Sequence, residues 1–418
     1  MNGKRFEETL YAINQFGYSE QGINRIAFSE EEEKAKKYLI TLFENEGLIV
    51  KTDAFGNIIA RREGKDPTLP AVACGSHIDT VYNAGMYDGT IGVIAGLEVI
   101  RFLNEKEIIT KHPIEVIVFA SEESARFGVA TIGSKVMTGL IEKKKLLSLK
   151  DKQGISIVEA MKKAGYSIDD LATAKRDRTE LKAFYELHVE QGPILEKEQK
   201  MIGIVSGIAA PTRFQLKIIG ESAHSGSTPM NLRKDAFSGA SEIALTLEAI
   251  AHQEAKHGTV ATVGNCVIKD GAMNVVPGEA EIIIDIRSIS DESKNRVKEA
   301  LIKRIKEIET ERNLHIQVTK LCDEQPTSMD RQIIELVKCL SEEHGFSYME
   351  MPSGAGHDAM NMAKIVPTGL IFVPSKNGIS HTKDEYTSLE QIMIGVTLLK
   401  EVILRGAHVM NRAYCLEG

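Results

Sequence analysis

One loop of this chain carries a histidine and two carboxylates. The stretch Gly75-Ser76-His77-Ile78-Asp79-Thr80-Val81-Tyr82-Asn83-Ala84-Gly85-Met86-Tyr87-Asp88-Gly89 follows the apolar run Ala71–Cys74 and precedes Thr90–Arg101. The run reads as a short buried strand and the segment after the loop as a helix. His77, Asp79 and Asp88 therefore leave the carboxyl end of a strand, where ligands bind in an open α/β sheet. Such donor types suit a metal site. Further donors sit at similar places. Glu122 and Glu123 follow the predicted strand Ile114–Ala120, His188 lies late in Ala183–Val189, and His381 follows Gly369–Val373. With His77 and Asp88, that makes three imidazoles and three carboxylates at one edge of one sheet. Mixed nitrogen and oxygen donors suit Zn²⁺, Mn²⁺ or Co²⁺ better than Ca²⁺ or Mg²⁺. They are too many for one catalytic ion, whereas two ions bridged by a carboxylate use them all. Taken singly, each is an ordinary solvated or core residue, as His112, His252, His257, His315, His344 and His408 are read. It is the shared placement at strand ends that gathers the set.

The elements that must position these donors follow from periodicity and punctuation. A helix from Glu30 to Glu46 opens on a capping box of Ser29 and Glu32, pairs Glu33 with Lys37, and stops at Gly47. Extended pieces over Leu48–Thr52 and Asn57–Arg61 come next, then strand, helix and strand through Ala120. Helices are expected at Ile132–Lys144 and Ile155–Gly165, and strands at Ala183–Val189 and Met201–Ser206. That order gives a mixed α/β sheet. After Gly207–Pro211 the character changes. Strand Thr212–Ile219, helix Arg233–Glu254, strands Thr259–Lys269 and Glu281–Arg287, helix Asp291–Arg312 and strand Leu314–Leu321 make a ferredoxin-like β-α-β-β-α-β unit. The α/β pattern then resumes with helix Arg331–Glu343, strand Gly369–Val373 and helix Leu389–Leu404, the last capped by Thr387 with Glu390. One domain is thus expected over 1–209 and 326–418, interrupted by a second over 210–325. A cleft between two such domains commonly takes a small ligand.

Within the inserted domain, Ile282, Ile284 and Ile286 share one strand face and should pack on the helices. Asp285 and Arg287 share the other. Arg287 there either grips a substrate carboxylate bidentately or forms an exposed edge ion pair.

The chain has 418 residues, which favours two domains over one core. It is 43% hydrophobic and 26% charged, with net charge -8, the balance of a soluble globular protein. An acidic chain does not suit nucleic acid as a partner, and Lys143-Lys144-Lys145 reads as a solvated helix face. The five cysteines are odd in number and widely spaced, and read as reduced, buried thiols. No apolar run approaches a membrane span and the start has no apolar signal core. A cytoplasmic location is expected.

Taken together, these segments resemble the amidase/hydantoinase/carbamoylase branch of the dinuclear-metal peptidase superfamily. The matches are Gly75–Val81, Asp88-Gly89, Glu122-Glu123 with Arg126-Phe127, Glu186–Gly192, Ala223–Met230, Asn274–Pro277, Asp285–Arg287, and Ser353–Asp358 with His381. They run in family order over nearly the whole chain. The resemblance implies a dinuclear-metallopeptidase-like catalytic domain with an inserted lid that also dimerises. It implies two divalent ions per subunit (Zn²⁺, Mn²⁺, Co²⁺ or Ni²⁺), with His77 and His188 on one, Glu123 and His381 on the other, and Asp88 between them. Asp79 is then expected to fix the His77 imidazole. Glu122 becomes the general base that takes a proton from the attacking water and returns it to the leaving nitrogen. Gln191, His224 and Asn274 are expected to hold the substrate and its developing oxyanion. The resemblance turns Arg287 toward a substrate carboxylate, and places Gly356 and His357 in the site.

The activity so implied is hydrolysis of a carbamoyl or ureido C–N bond in a small carboxylate. The segments Ser353–Ala359 and Ile371–Ser375 with Asn377–His381 look closest to allantoate amidohydrolases, and similar carbamoylases tend to carry a bulkier residue than Gly356 and a basic one in place of Pro374. N-carbamoyl-L-amino acid amidohydrolases and β-ureidopropionases are the alternatives. An aminopeptidase or deacylase fits the Gln191-Gly192 and Ala223–Gly226 segments less well. A non-catalytic homologue would be expected to have lost Glu122 or a ligand, and all are present.

Overall fold

The computed structural model describes residues 1–408, in which the chain forms two compact units. One comprises Met1–Ser206, Met329–Met351 and the chain from Gly356 on. The other comprises Gly207–Ser328 with Pro352–Ala355. The division falls at Gly207 and Ser328 rather than at 210 and 325, and the short return segment Pro352–Ala355 is an addition that periodicity does not reveal.

The first unit is built on strands that are apolar and buried along their length. Ala71–His77, Ile114–Phe119, Leu181–Val189 and Thr368–Val373 are buried on both faces, as central parallel strands require. They run parallel in the spatial order 368–373, 181–189, 71–77, 114–119. Ile58–Arg62 and Ile49–Thr52 extend one side antiparallel, and Ile202–Ile208 the other. Because the four central strands share a direction, their carboxyl ends share an edge. Helix Thr90–Glu105 is buried almost all round. It starts directly at that edge.

In the second unit, four antiparallel strands lie in the order Val260–Ile268, Glu279–Ser288, Ala210–Ile219, His315–Asp323. Helices Ala236–Glu254 and Asp291–Glu311 complete the ferredoxin-like arrangement. Ile282, Ile284 and Ile286 join Leu216, Ile243, Leu247, Val297 and Leu301 in its core. The alternation of the strand dictates this, and it turns Asp285 and Arg287 to the open face.

Several local expectations are corrected. The helix predicted over Ile132–Lys144 ends at Thr138, because Gly139 takes a left-handed φ of 73° and caps it, and a separate short helix spans Lys143–Leu147. The C-terminal helix is capped by Ser388 with Gln391, while the Thr387 hydroxyl donates to the Pro374 carbonyl instead. Glu33 pairs with Lys36, not Lys37, because Lys36 is the lysine turned inward. Helix Arg233–Glu254 starts at Ala236, where Asp235 caps the Phe237 and Ser238 amides. Helix Gly3–Asn14 and strand Tyr348–Ser353 are additions. Of the cysteines, Cys74 is buried but Cys266 and Cys339 are exposed. Cys415 and the tail after Met410, for which the sequence suggests no role, lie outside the described residues. No helix among those residues is long and apolar enough to cross a membrane.

Candidate metal centre

Each candidate ligand of the first unit sits at the shared strand edge. His77 ends its strand opposite Phe119, and His188 lies opposite Phe372 one residue from the end of its own. Backbone carbonyls fix both rings. His77 Nδ1 lies 2.9 Å from the Asp79 carbonyl, and His188 Nδ1 lies 2.9 Å from the Val189 carbonyl. A carbonyl can only accept, so each Nδ1 carries the hydrogen and each Nε2 keeps its lone pair.

The carboxylate of Asp88 divides between two groups of donors. Its Oδ1 lies 3.5 Å from His77 Nε2 and 3.1 Å from His188 Nε2. Its Oδ2 lies 3.1 Å from His381 Nε2, which is 3.5 Å from Glu123 Oε1. In each trio, His77–Asp88–His188 and Asp88–Glu123–His381, the donor atoms lie within 4.8 Å of one another. A carboxylate that turns one oxygen to each trio could bridge two divalent ions, and the mixed nitrogen and oxygen donors fit such a pair.

Glu122 stands beside the first trio, buried, with Oε2 3.7 Å from His77 Nε2. Burial, opposed by His77 and reinforced by the carboxylates of Glu123, Asp358 and Asp79, raises its carboxyl well above the usual range. Asp79 touches His77 and the two glutamates at once. Its backbone carbonyl takes the hydrogen bond to the His77 ring, while its carboxylate stands 3.7 Å from the same nitrogen. The carboxylate oxygens accept the Glu122 and Glu123 amides, each at 3.0 Å. A fully buried carboxylate needs donors for both oxygens, and two successive backbone amides supply them. Asp79 thereby sets the position of base candidate and ligand candidate together.

Gln191 adopts a left-handed φ of 58° and its Nε2 donates to Asp88 Oδ2 at 2.7 Å. His357 is buried and packs edge-on against His188, with centroids 4.5 Å apart. With Glu186 and His188 it forms a third close group, but Glu186 is engaged by the Ser76 hydroxyl and the Ala359 amide. Gly356 is exposed, and a Cβ there would meet only Met360 Sδ at 3.7 Å.

His224, Asn274 and Arg287 belong to the second unit. The pair Ala223–His224 and Val275–Val276 places His224 opposite Val275, and the Ser225 amide donates to the Asn274 carbonyl. His224 Nδ1 accepts the Gly226 and Ser227 amides at 3.1 and 3.2 Å. Its Nε2 therefore carries the hydrogen and is a donor. Arg287 is 34% exposed and pairs bidentately with Asp285, with Nε to Oδ1 at 3.2 Å and Nη2 to Oδ2 at 3.1 Å. Its Nη1 donates to the Gly354 carbonyl at 2.8 Å.

Two residues at the first unit's centre escaped the sequence reading. Glu385 accepts the amides of Tyr87 and Asp88, and Ser380 donates to Glu385. The only local signal is their spacing around His381.

Comparison with known proteins places this geometry. The model described as Peptidase family M20/M25/M40 matches residues 73–405. A Haemophilus influenzae protein described as an uncharacterized hydrolase is 47% identical over 387 residues, 93% of this chain and 94% of that protein. The N-carbamoyl-L-amino acid amidohydrolase of Geobacillus stearothermophilus is 37% identical, covering 96% of this chain and 98% of its own length. The crystal structure of an amidase of the hydantoinase/carbamoylase family from Burkholderia multivorans superposes with a TM-score of 0.92 at 33% identity, over 97% of this chain and 98% of that one. The chain belongs to peptidase family M20/M25/M40, in its amidase/hydantoinase/carbamoylase branch.

Proposed function

We propose that this protein is a metal-dependent amidohydrolase that cleaves the carbamoyl or ureido C–N bond of a small carboxylate substrate. One observation carries the reading: Asp88 turns an oxygen to each of two donor trios, with buried Glu122 alongside. When bound, two divalent ions polarise a scissile carbonyl and lower the pKa of water toward about 7. Glu122 takes a proton from the attacking water and delivers it to the leaving nitrogen. Burial raises the Glu122 carboxyl above the usual range, which favours its holding the proton between the two transfers. Asp79 keeps Glu122 in place through its amide. In this reading His224 Nε2–H stabilises the oxyanion, with Asn274 and Gln191 orienting the substrate. Arg287, held in plane by Asp285 and Gly354, grips the carboxylate. The family likeness also supports a homodimer formed through the second unit, which sedimentation tests.

Two substrates compete. The open space at Gly356 and the resemblance around Pro374 favour allantoate. The 37% identity to an N-carbamoyl-L-amino acid amidohydrolase favours N-carbamoyl-L-amino acids. Comparing kcat/KM on both decides, and a strong preference for the second overturns the allantoate reading. For the class itself, Glu122→Gln is expected to keep two ions per chain and lose roughly 10²–10⁴-fold in kcat. Near-normal turnover by that variant sinks the assignment of the base.

A further inference from the structure

Glu385 is 4% exposed and lies four residues beyond His381. Its Oε2 accepts the amides of Tyr87 at 2.9 Å and Asp88 at 3.2 Å. Its Oε1 accepts the Ser380 hydroxyl at 2.9 Å, and that hydroxyl oxygen also lies 3.5 Å from Asp88 Oδ2. The side chain rests directly on the loop backbone, since a Cβ at Gly85 would lie 2.4 Å from Glu385 Cβ and 2.6 Å from its Oε2. One buried carboxylate thus ties the loop that carries Asp88 to the loop that carries His381, nearly three hundred residues apart in sequence.

The two donor trios differ in how they are held. His77 and His188 lie on central strands with rings fixed by backbone carbonyls. His381 lies on no strand, is 49% exposed, and has a left-handed φ of 58°. Nothing in the strand framework sets the distance from His381 to Asp88 Oδ2. Two links do: Gln191 Nε2 lies between the side chains, 2.7 Å from Asp88 Oδ2 and 3.2 Å from His381 Nε2, and Glu385 ties the two backbones beneath them.

We propose that Glu385 is a positioning residue chiefly for one cation site, the site formed by Asp88 Oδ2, Glu123 and His381. It aligns the backbone of Asp88 with Ser380, and through Ser380 with the adjoining His381. The His77–Asp88–His188 site shares Asp88 but has both histidines on central strands with rings fixed by backbone carbonyls, so it depends on this link far less. This inference rests on the two-ion reading above.

The test is titration of metal-stripped wild type, Glu385→Ala and Glu385→Gln with Mn²⁺, following heat and bound ions per chain. Wild type is expected to take up two ions. Glu385→Ala should keep one at little-changed affinity and bind the second about 10–100-fold more weakly. Glu385→Gln keeps one acceptor oxygen and loses the charge, so a smaller loss is expected, and it serves where the alanine variant fails to fold. Substrate turnover by the alanine variant should recover at saturating Mn²⁺ with KM unchanged, which a general packing defect would not permit. Two ions bound at wild-type affinity by Glu385→Ala overturn the inference, as does equal weakening of both. A wild type that binds a single ion overturns the two-ion reading, and this inference with it.

Discussion

Gly89 has a φ of 62°, and a Cβ there would lie 2.3 Å from His77 Nε2. Its amide donates to His188 Nε2 at 3.1 Å. Both facts make this position intolerant of a side chain: the left-handed backbone favours glycine, and an added methyl strikes the donor atom of a candidate ligand. Gly89→Ala is therefore expected to keep the far-ultraviolet circular dichroism of the parent while its affinity for divalent ions drops by about 10–100-fold, read as metal content after dialysis. Wild-type metal content in this variant would show that His77 Nε2 is not a donor. At this scale residue types were legible in the sequence, since His77, Asp88, Glu123, His188 and His381 all stand at the shared edge. What each atom does was less so. Asp79 uses its carbonyl on His77 and its carboxylate on two amides, a division that residue type cannot announce. Glu385 works through backbone amides of a distant loop and leaves almost no local trace.

Elements were legible where burial and punctuation agreed. Central strands read as unbroken apolar runs because both their faces are covered, and Arg331–Glu343 carries its amphipathic period to both ends. Errors arose where two adjacent residues could serve one task. Ser388 outcompetes Thr387 as cap because its hydroxyl reaches the Gln391 amide, while Thr387 is drawn to Pro374. The two helices of the second unit supply a prediction of their own. Glu254, near the end of one, accepts from Arg296 and Ser293 at the start of the other. The Arg296 hydrogen bond, then that of Ser293, lowers its carboxyl from 4.5 to about 2. A carboxyl depressed on folding contributes stability that is present above about 4.5 and fades as pH falls toward about 2. Glu254→Gln should therefore lower the melting temperature more at pH 7 than at pH 3. An equal loss at both would assign the effect to packing rather than charge.

At the scale of the molecule, the candidate centre gathers chain from positions 77 to 385, so ligand binding and folding of the first unit are coupled. An ion that binds only the folded chain stabilises it by about 2.7 kcal/mol at a hundredfold excess over its Kd. Stripping the protein with a chelator should lower the melting temperature by several degrees, and adding back Mn²⁺ or Zn²⁺ should restore it. An unchanged melting curve would argue against a preformed metal centre. The sequence by itself determined the α/β class, the ferredoxin-like insertion and the donor types at the strand ends, because these depend on local periodicity, turn residues and side-chain chemistry. Only the tertiary structure decided which oxygen of Asp88 faces which trio, how Asp79 divides its two groups, that Pro352–Ala355 joins the second unit, and that Glu385 ties two ligand loops together. Such pairings are set by neighbours brought together through space, and a hydrogen bond between residues hundreds of positions apart leaves no period in the chain that makes it.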